Sequence, residues 1–200
     1  MNKKYFIGSI IVLVVVVVFI VFKPTTQKEV IQNDPVSVKD YKNSSYIIEG
    51  QSITLTDGFS EIESAPSSAS KIVTRYFGNE ARHDLNDDGR EDIVFILTQE
   101  RGGSGKFFYA VASLNTPTRY IGSNAFLLGD RIAPQSTNID EGITTQGTTR
   151  ENVIVVNFMT REPSESFTTE PTVGKSVWIK LNLATMQFGE VAQNFEGESQ

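Results

Sequence analysis

The sequence contains no cysteine. That excludes disulfides, a thiol nucleophile, a thiolate metal centre and a lipid-modified N-terminal cysteine. Histidine occurs once, as His83. Its neighbour Asp84 would point to the opposite face of a strand, so His83 reads as a surface residue rather than half of a dyad. No Gly-x-Ser-x-Gly elbow is present. The run Gly102-Gly103-Ser104-Gly105-Lys106 is not a phosphate loop. Glu100 stands where the first glycine is needed, Phe107 stands where Ser or Thr is needed, and a strand pattern follows. It reads as a hairpin connection. A basic excess is also missing: the chain carries −6 at neutral pH, which excludes a nucleic-acid role. The absence of any repeat of about 20–50 residues argues against a solenoid or propeller.

One long hydrophobic run is present. Tyr5 to Phe22 is 18 residues without a charge, broken only by Gly8 and Ser9. As a helix it would rise about 27 Å, close to a bilayer's hydrocarbon thickness. A signal peptide has a shorter apolar core followed by a small-x-small cleavage site, and Lys23-Pro24-Thr25-Thr26-Gln27 offers none. The run therefore predicts an uncleaved single-pass transmembrane helix. Lys3 and Lys4 before it place the N-terminus in the cytoplasm by the positive-inside rule, with residues 23–200 outside. All 24 acids and 16 of the 18 bases lie beyond residue 22, so the outer part carries −8. About a third of it is hydrophobic, enough for one core in a domain of this size.

The expected organisation is a tail over 1–4, the helix over 5–22, a linker over 23–44, a β domain over 45–193 and a tail over 194–200. The linker is polar and contains Pro24 and Pro35. Asn43-Ser44-Ser45 matches a glycosylation acceptor, a weak three-residue pattern. Tyr46–Ile48 and Ile53–Thr56 flank Glu49-Gly50-Gln51-Ser52, a short hairpin pattern, and Asp57-Gly58 marks a turn. Residues 61–70, rich in Ser and Ala, read as a loop. Strands are expected over 71–77, 92–99, 106–114, 125–128, 131–139, 152–159, 176–183 and 186–191, with a loop over 161–173. The continuous run Ile93-Val94-Phe95-Ile96-Leu97 predicts a strand buried on both faces. Residues 176–183 alternate, with Val177, Ile179, Leu181 and Leu183 on one side and Trp178 on the other. The expected fold class is mainly β, an antiparallel sandwich or irregular barrel preceded by one transmembrane helix.

The most specific motif is Asp84-Leu85-Asn86-Asp87-Asp88-Gly89-Arg90-Glu91-Asp92. Side-chain oxygens fall at positions 1, 3, 5 and 9, as Asp84, Asn86, Asp88 and Asp92. Gly89 at position 6 permits a sharp turn, and Arg90 offers its backbone carbonyl at position 7. Calcium takes six to eight hard oxygens, which alternate residues of a tight loop can supply. Leu85 would turn into the core, while Arg90 and Glu91 could keep their side chains in solvent. The spacing resembles the calcium loops of dockerins, EF-hands and FG-GAP repeats. An EF-hand carries a bidentate Glu at position 12, where this chain has Phe95. Like FG-GAP loops, this one leads into a hydrophobic strand. Taken whole, the chain resembles the singly anchored exported proteins of bacteria. These resemblances imply a structural calcium ion held by Asp84, Asn86, Asp88, Arg90 and Asp92.

No catalytic constellation is evident. Asp130-Arg131 and Arg161-Glu162 read as surface pairs rather than an acidic-substrate clamp. Trp178 and Tyr109 could offer a ligand platform, with sheet packing as the simpler role. The expectation is a non-enzymatic binding or interaction module at the membrane, with an envelope protein or polysaccharide as ligand. The alternatives are a carboxylate-dependent hydrolase of envelope polysaccharide and an accessory subunit of an envelope complex.

Overall fold

The computed structural model describes residues 40–143 and 149–191. They fall in one unit of the chain, Val38–Gln200. The hydrophobic run at 5–22 lies outside the described residues, as do most of the expected linker and the tail over 194–200. Among the described residues no helix is long and apolar enough to cross a membrane.

The described chain is mainly β and its sheets are antiparallel. A two-stranded hairpin is formed by β1 (Ser45–Ile48) and β2 (Gln51–Thr54). A six-stranded sheet follows: β3 (Phe59–Glu63), β4 (Lys71–His83), β5 (Asp92–Glu100) and β6 (Phe107–Asn115), with β7 (Tyr120–Gly122) and β8 (Phe126–Asp130) both pairing with β6. A four-stranded sheet contains β9 (Ala133–Ile143), β10 (Thr149–Thr160), β11 (Val173–Asn182) and β12 (Gln187–Glu190).

The central strands β5 and β6 bury both faces, as the continuous apolar run predicts. Val94, Ile96, Ala110 and Ala112 join Ile154, Val156, Phe158 and Ile179 of the four-stranded sheet in one apolar cluster. Ile93, Phe95, Leu97 and Val111 face the other way and pack on Tyr46, Ile48, Ile53 and Leu55 of the hairpin. The period of two along each strand produces this division. On β11, Ile179 and Leu181 are buried and Val177 packs beside them, whereas Leu183 lies beyond the strand and is exposed. Tyr109, one of the two aromatics that could offer a ligand platform, is buried in the sheet.

Three local features depart from the sequence reading. First, β3 runs through residues 61–63 of the expected loop, because Glu61 and Ile62 pair with Val73 and Ile72 of the adjacent strand. Second, β4 continues six residues beyond Phe77. Gly78 and Asn79 take positive φ values of 117° and 52° there, and the register with β5 shifts. This bulge hides the alternation that would reveal a longer strand. Beyond the reach of β3, β4 runs beside β9, and His83 Nε2 meets Glu141 Oε1 at 2.6 Å across them. Third, the folded part reaches into the expected linker. A 3-10 turn, Tyr41–Asn43, is capped by the Asp40 carboxylate. Tyr41 packs on the hairpin-side cluster, and its hydroxyl and that of Tyr76 both donate to Glu80 Oε1. The Asn43 amide bonds Asp40 and accepts from Asp57 N–H.

The segment Ser123–Ala125 joins all three sheets. Ile47 N–H donates to Ser123 O at 3.1 Å, and Ala125 N–H donates to Ile47 O at 2.7 Å. Asn124 N–H reaches Met186 O, in the β11–β12 turn, at 2.8 Å. Gly122 makes this approach possible. A Cβ there would lie 2.2 Å from Ser45 O and 2.6 Å from Tyr46 Cδ1.

Candidate functional site

Two places carry polar chemistry on this frame. The first is the loop from β4 to β5, which carries the oxygen-rich motif together with Asp92, the first residue of β5. Asp84 Oδ1 accepts from Asp88 N–H at 3.0 Å and its Oδ2 from Gly89 N–H at 2.7 Å. Asn86 Oδ1 accepts from Asp88 N–H at 3.3 Å, and Asp88 Oδ1 from Arg90 N–H at 2.9 Å. Asp87 and Gly89 hold φ values of 58° and 80°, which turn the backbone tightly enough for these bonds. Leu85 is buried in the apolar cluster, as the motif requires, and Asn152 of β10 donates to its carbonyl.

Asp92 behaves differently from the other three. It is fully buried, and its oxygens accept from Leu85 N–H at 3.0 Å and Asn115 N–H at 2.6 Å. It therefore clamps the start of the loop to the end of β6. Burial pushes its carboxyl up from the usual range; the two N–H groups oppose this, and the charges of Asp88 and Asp84 add to it. At Asp84 desolvation also pushes upward, but the loop amides of Gly89 and Asp88 outweigh it and hold the carboxyl low. The Arg90 side chain does not stay in solvent. Its Nη2 lies 2.9 Å from Asp88 Oδ2 and its Nε donates to Asn115 O at 2.8 Å. Glu91 does remain largely exposed, beside Arg82.

The loop thus carries the expected set Asp84, Asn86, Asp88, Arg90 and Asp92 with side-chain oxygens tied to backbone amides. Among the described residues no group of three or more His, Asp or Glu side chains is arranged to hold a metal ion. Asp84 Oδ1 and Oδ2 and Asp88 Oδ1 each keep a second lone pair that a hard cation could use, whereas Asp88 Oδ2 already accepts from both Asn86 Nδ2 and Arg90 Nη2. Asp88 Oδ2 would have to exchange Arg90 for that cation.

The second place was not visible in the sequence. The hairpin turn Glu49-Gly50, both at positive φ, overhangs a cleft of about 260 Å3. Ile47, Glu49 and Gly50 form one wall, Asn124, Ala125 and Phe126 the second, and Gln187 and Phe188 of β12 the third. Glu49 is held from behind. Arg101 Nη1 lies 2.6 Å from Glu49 Oε2, and the Tyr109 hydroxyl donates to Glu49 Oε1 at 2.8 Å. Arg101 also donates to Tyr109 Oη at 2.5 Å and to Gln99 Oε1 at 2.7 Å. Gln99 is buried and reaches Thr74 Oγ1. Arg101 holds the Glu49 carboxyl below its usual range, against the upward push of desolvation and with help from Tyr109. The same network pushes the Tyr109 hydroxyl up, chiefly through its burial. Arg101 opens the glycine-rich connection, which does join β5 to β6 as a hairpin.

The remaining candidates are structural. Arg131 pairs side by side with Asp130, whose carboxylate also accepts from Lys106 N–H. Arg161 bonds the carbonyls of Arg131 and Thr169. Trp178 lies on β11 opposite Val155, on a face where Ser136, Asn157 and Ser176 bond across three strands.

No protein-family model matches this chain, and neither the curated proteins nor the solved structures contain a match.

Proposed function

We propose that this chain is a non-enzymatic binding module, held at the cell membrane by the helix over 5–22 and displayed outside the cytoplasm. On this reading the β domain is an antiparallel sandwich carrying a ligand at one edge. The observation that carries the proposal is the cleft under Glu49-Gly50. Three sheets converge there, and a network of buried Gln99 and Tyr109 with half-buried Arg101 orients one solvent-facing carboxylate. A rigid frame holding a few convergent polar groups beside aromatic rings has the character of a recognition site. Hydrolysis by paired carboxylates would need a second acid facing Glu49. Glu49 is the one carboxylate among the described lining residues, which favours binding.

Calcium has a structural part in this proposal. Asp84, Asn86 and Asp88 would supply side-chain oxygens and Arg90 its carbonyl, with Asp92 anchoring the loop base. Burial is the main cause of the raised Asp92 carboxyl, and the ion would offset the smaller upward push from the charges of Asp88 and Asp84. The test of function is incubation of the full chain, in detergent, with envelope polysaccharide. Co-sedimentation without release of new reducing ends supports the module, and steady release of reducing ends sinks it.

A further inference from the structure

We infer that the cleft under the hairpin turn is a subsite for one ring of an uncharged saccharide chain. This rests on the binding-module reading and names its ligand class. Phe126 and Phe188 line the cleft and supply apolar surface of the kind that the C–H face of a pyranose covers. Both side chains also pack on the inter-sheet cluster, so the surface is rigid. Glu49 presents a carboxylate with one lone pair on each oxygen already taken, by Tyr109 and Arg101. The remaining lone pairs suit two neighbouring hydroxyl groups of one sugar. Asn124 commits its Nδ2 to Met186 O and Thr185 O, which fixes its amide plane at the cleft wall. Gly50 at the mouth has nothing within 4 Å of where a Cβ would stand, so a chain can pass over it.

Charge and size narrow the class. No cationic side chain lines the cleft among the described residues, and the nearest guanidinium, Arg101, is engaged by Glu49, Tyr109 and Gln99. A carboxylate or phosphate ligand would meet Glu49 without a counter-charge. The volume of about 260 Å3 lies just under the range of about 300–1,000 Å3 that encloses drug-sized ligands. One sugar ring with its neighbours outside matches that space. A shallow subsite of this kind has a dissociation constant on the order of 1 mM.

The test is titration of the 15N-labelled full chain, in zwitterionic detergent micelles, with cellotriose, with maltotriose and with trigalacturonate. The inference predicts saturable amide shifts at Gly50, Asn124, Ala125 and Gln187 with a neutral trisaccharide and none with the acidic one. Glu49→Gln and, independently, Phe188→Ala should each weaken that binding about tenfold while distant resonances stay in place. Absence of shifts with both neutral sugars, equal binding of trigalacturonate, or unchanged binding in both variants overturns the inference. Saturable shifts confined to the outer face around Trp178 overturn this site while leaving a saccharide-binding module. Appearance of shortened saccharides in the tube overturns the non-enzymatic reading itself.

Discussion

The loop between β4 and β5 and the cleft beneath β1–β2 use carboxylates in opposite ways. In the loop, Asp84, Asp88 and Asp92 accept from backbone N–H groups of the loop or of the strand end beside it. Their partners are mostly within five residues, and the result is a rigid corner of the domain. In the cleft, Glu49 is held by Tyr109 and Arg101, 60 and 52 residues away, and still faces solvent. The loop's carboxylates hold the backbone of their own corner, whereas the Glu49 carboxylate is held by side chains distant in sequence and faces solvent. The difference separates a carboxylate that stabilises the fold from one that the fold positions.

The largest effect should come from the loop's anchor. Asp92→Ala leaves the amides of Leu85 and Asn115 without acceptors at a fully buried position. We expect a loss of about 3 kcal/mol in urea unfolding. A loss below about 1 kcal/mol would erase the contrast between the two regions.

Gly122→Ala should break the cleft without touching a lining side chain. Its new methyl group would collide with Ser45 O and Tyr46, so the hairpin must shift. A cost of about 2–3 kcal/mol is expected, with faster hydrogen exchange at the β1–β2 amides.

A third experiment concerns Glu80. Burial alone would raise its carboxyl, but the hydroxyls of Tyr41 and Tyr76 and the guanidinium of Arg82 hold it below its ordinary value of 4.5. A depressed folded-state value gives stability that is present above the unfolded-state pKa and lost as pH falls through the folded one. Glu80→Gln should therefore lower stability at pH 7 and flatten its loss below about pH 4.5, measured by urea unfolding across pH. An unchanged acid limb would contradict the assignment.

Calcium sharpens the comparison further. At ten times its dissociation constant a bound ion adds about 1.4 kcal/mol. A rise in Tm with millimolar calcium, reversed by chelator and lost in Asp88→Ala, is expected for the full chain. Arg90→Ala, which removes one of the two donors on Asp88 Oδ2, should enlarge the rise. If neither protein responds, the loop is an acidic turn that holds no calcium.

These two regions also mark what the sequence could reveal. The loop was legible because its partners are close in sequence: oxygens at alternate positions and a glycine at the turn define it locally. The double burial of β5 was legible from its unbroken apolar run. The clamp from Asp92 to Asn115 was not, since it depends on where β6 ends. The extension of β4 was masked by its bulge at Gly78–Asn79, and β3 by exposed polar residues on a strand with one buried side chain, Ser60. Glu49 read only as a turn residue. A charged side chain at positive φ in a two-residue turn is a mild local anomaly, and its partners Arg101 and Tyr109 had no sequence signature.

The most direct measurement of the central claim is a paired comparison of Glu49→Gln and Asp84→Ala in the full chain, by thermal unfolding and neutral-trisaccharide titration. Glu49 and Arg101 have half- and one-third-exposed side chains, 50% and 32%, so losing their ion pair should cost under about 1 kcal/mol. The account predicts that Glu49→Gln abolishes most saccharide binding with Tm nearly unchanged, and that Asp84→Ala lowers Tm with binding retained. A Glu49→Gln protein that binds normally, or an Asp84→Ala protein that keeps its Tm and loses binding, would contradict it.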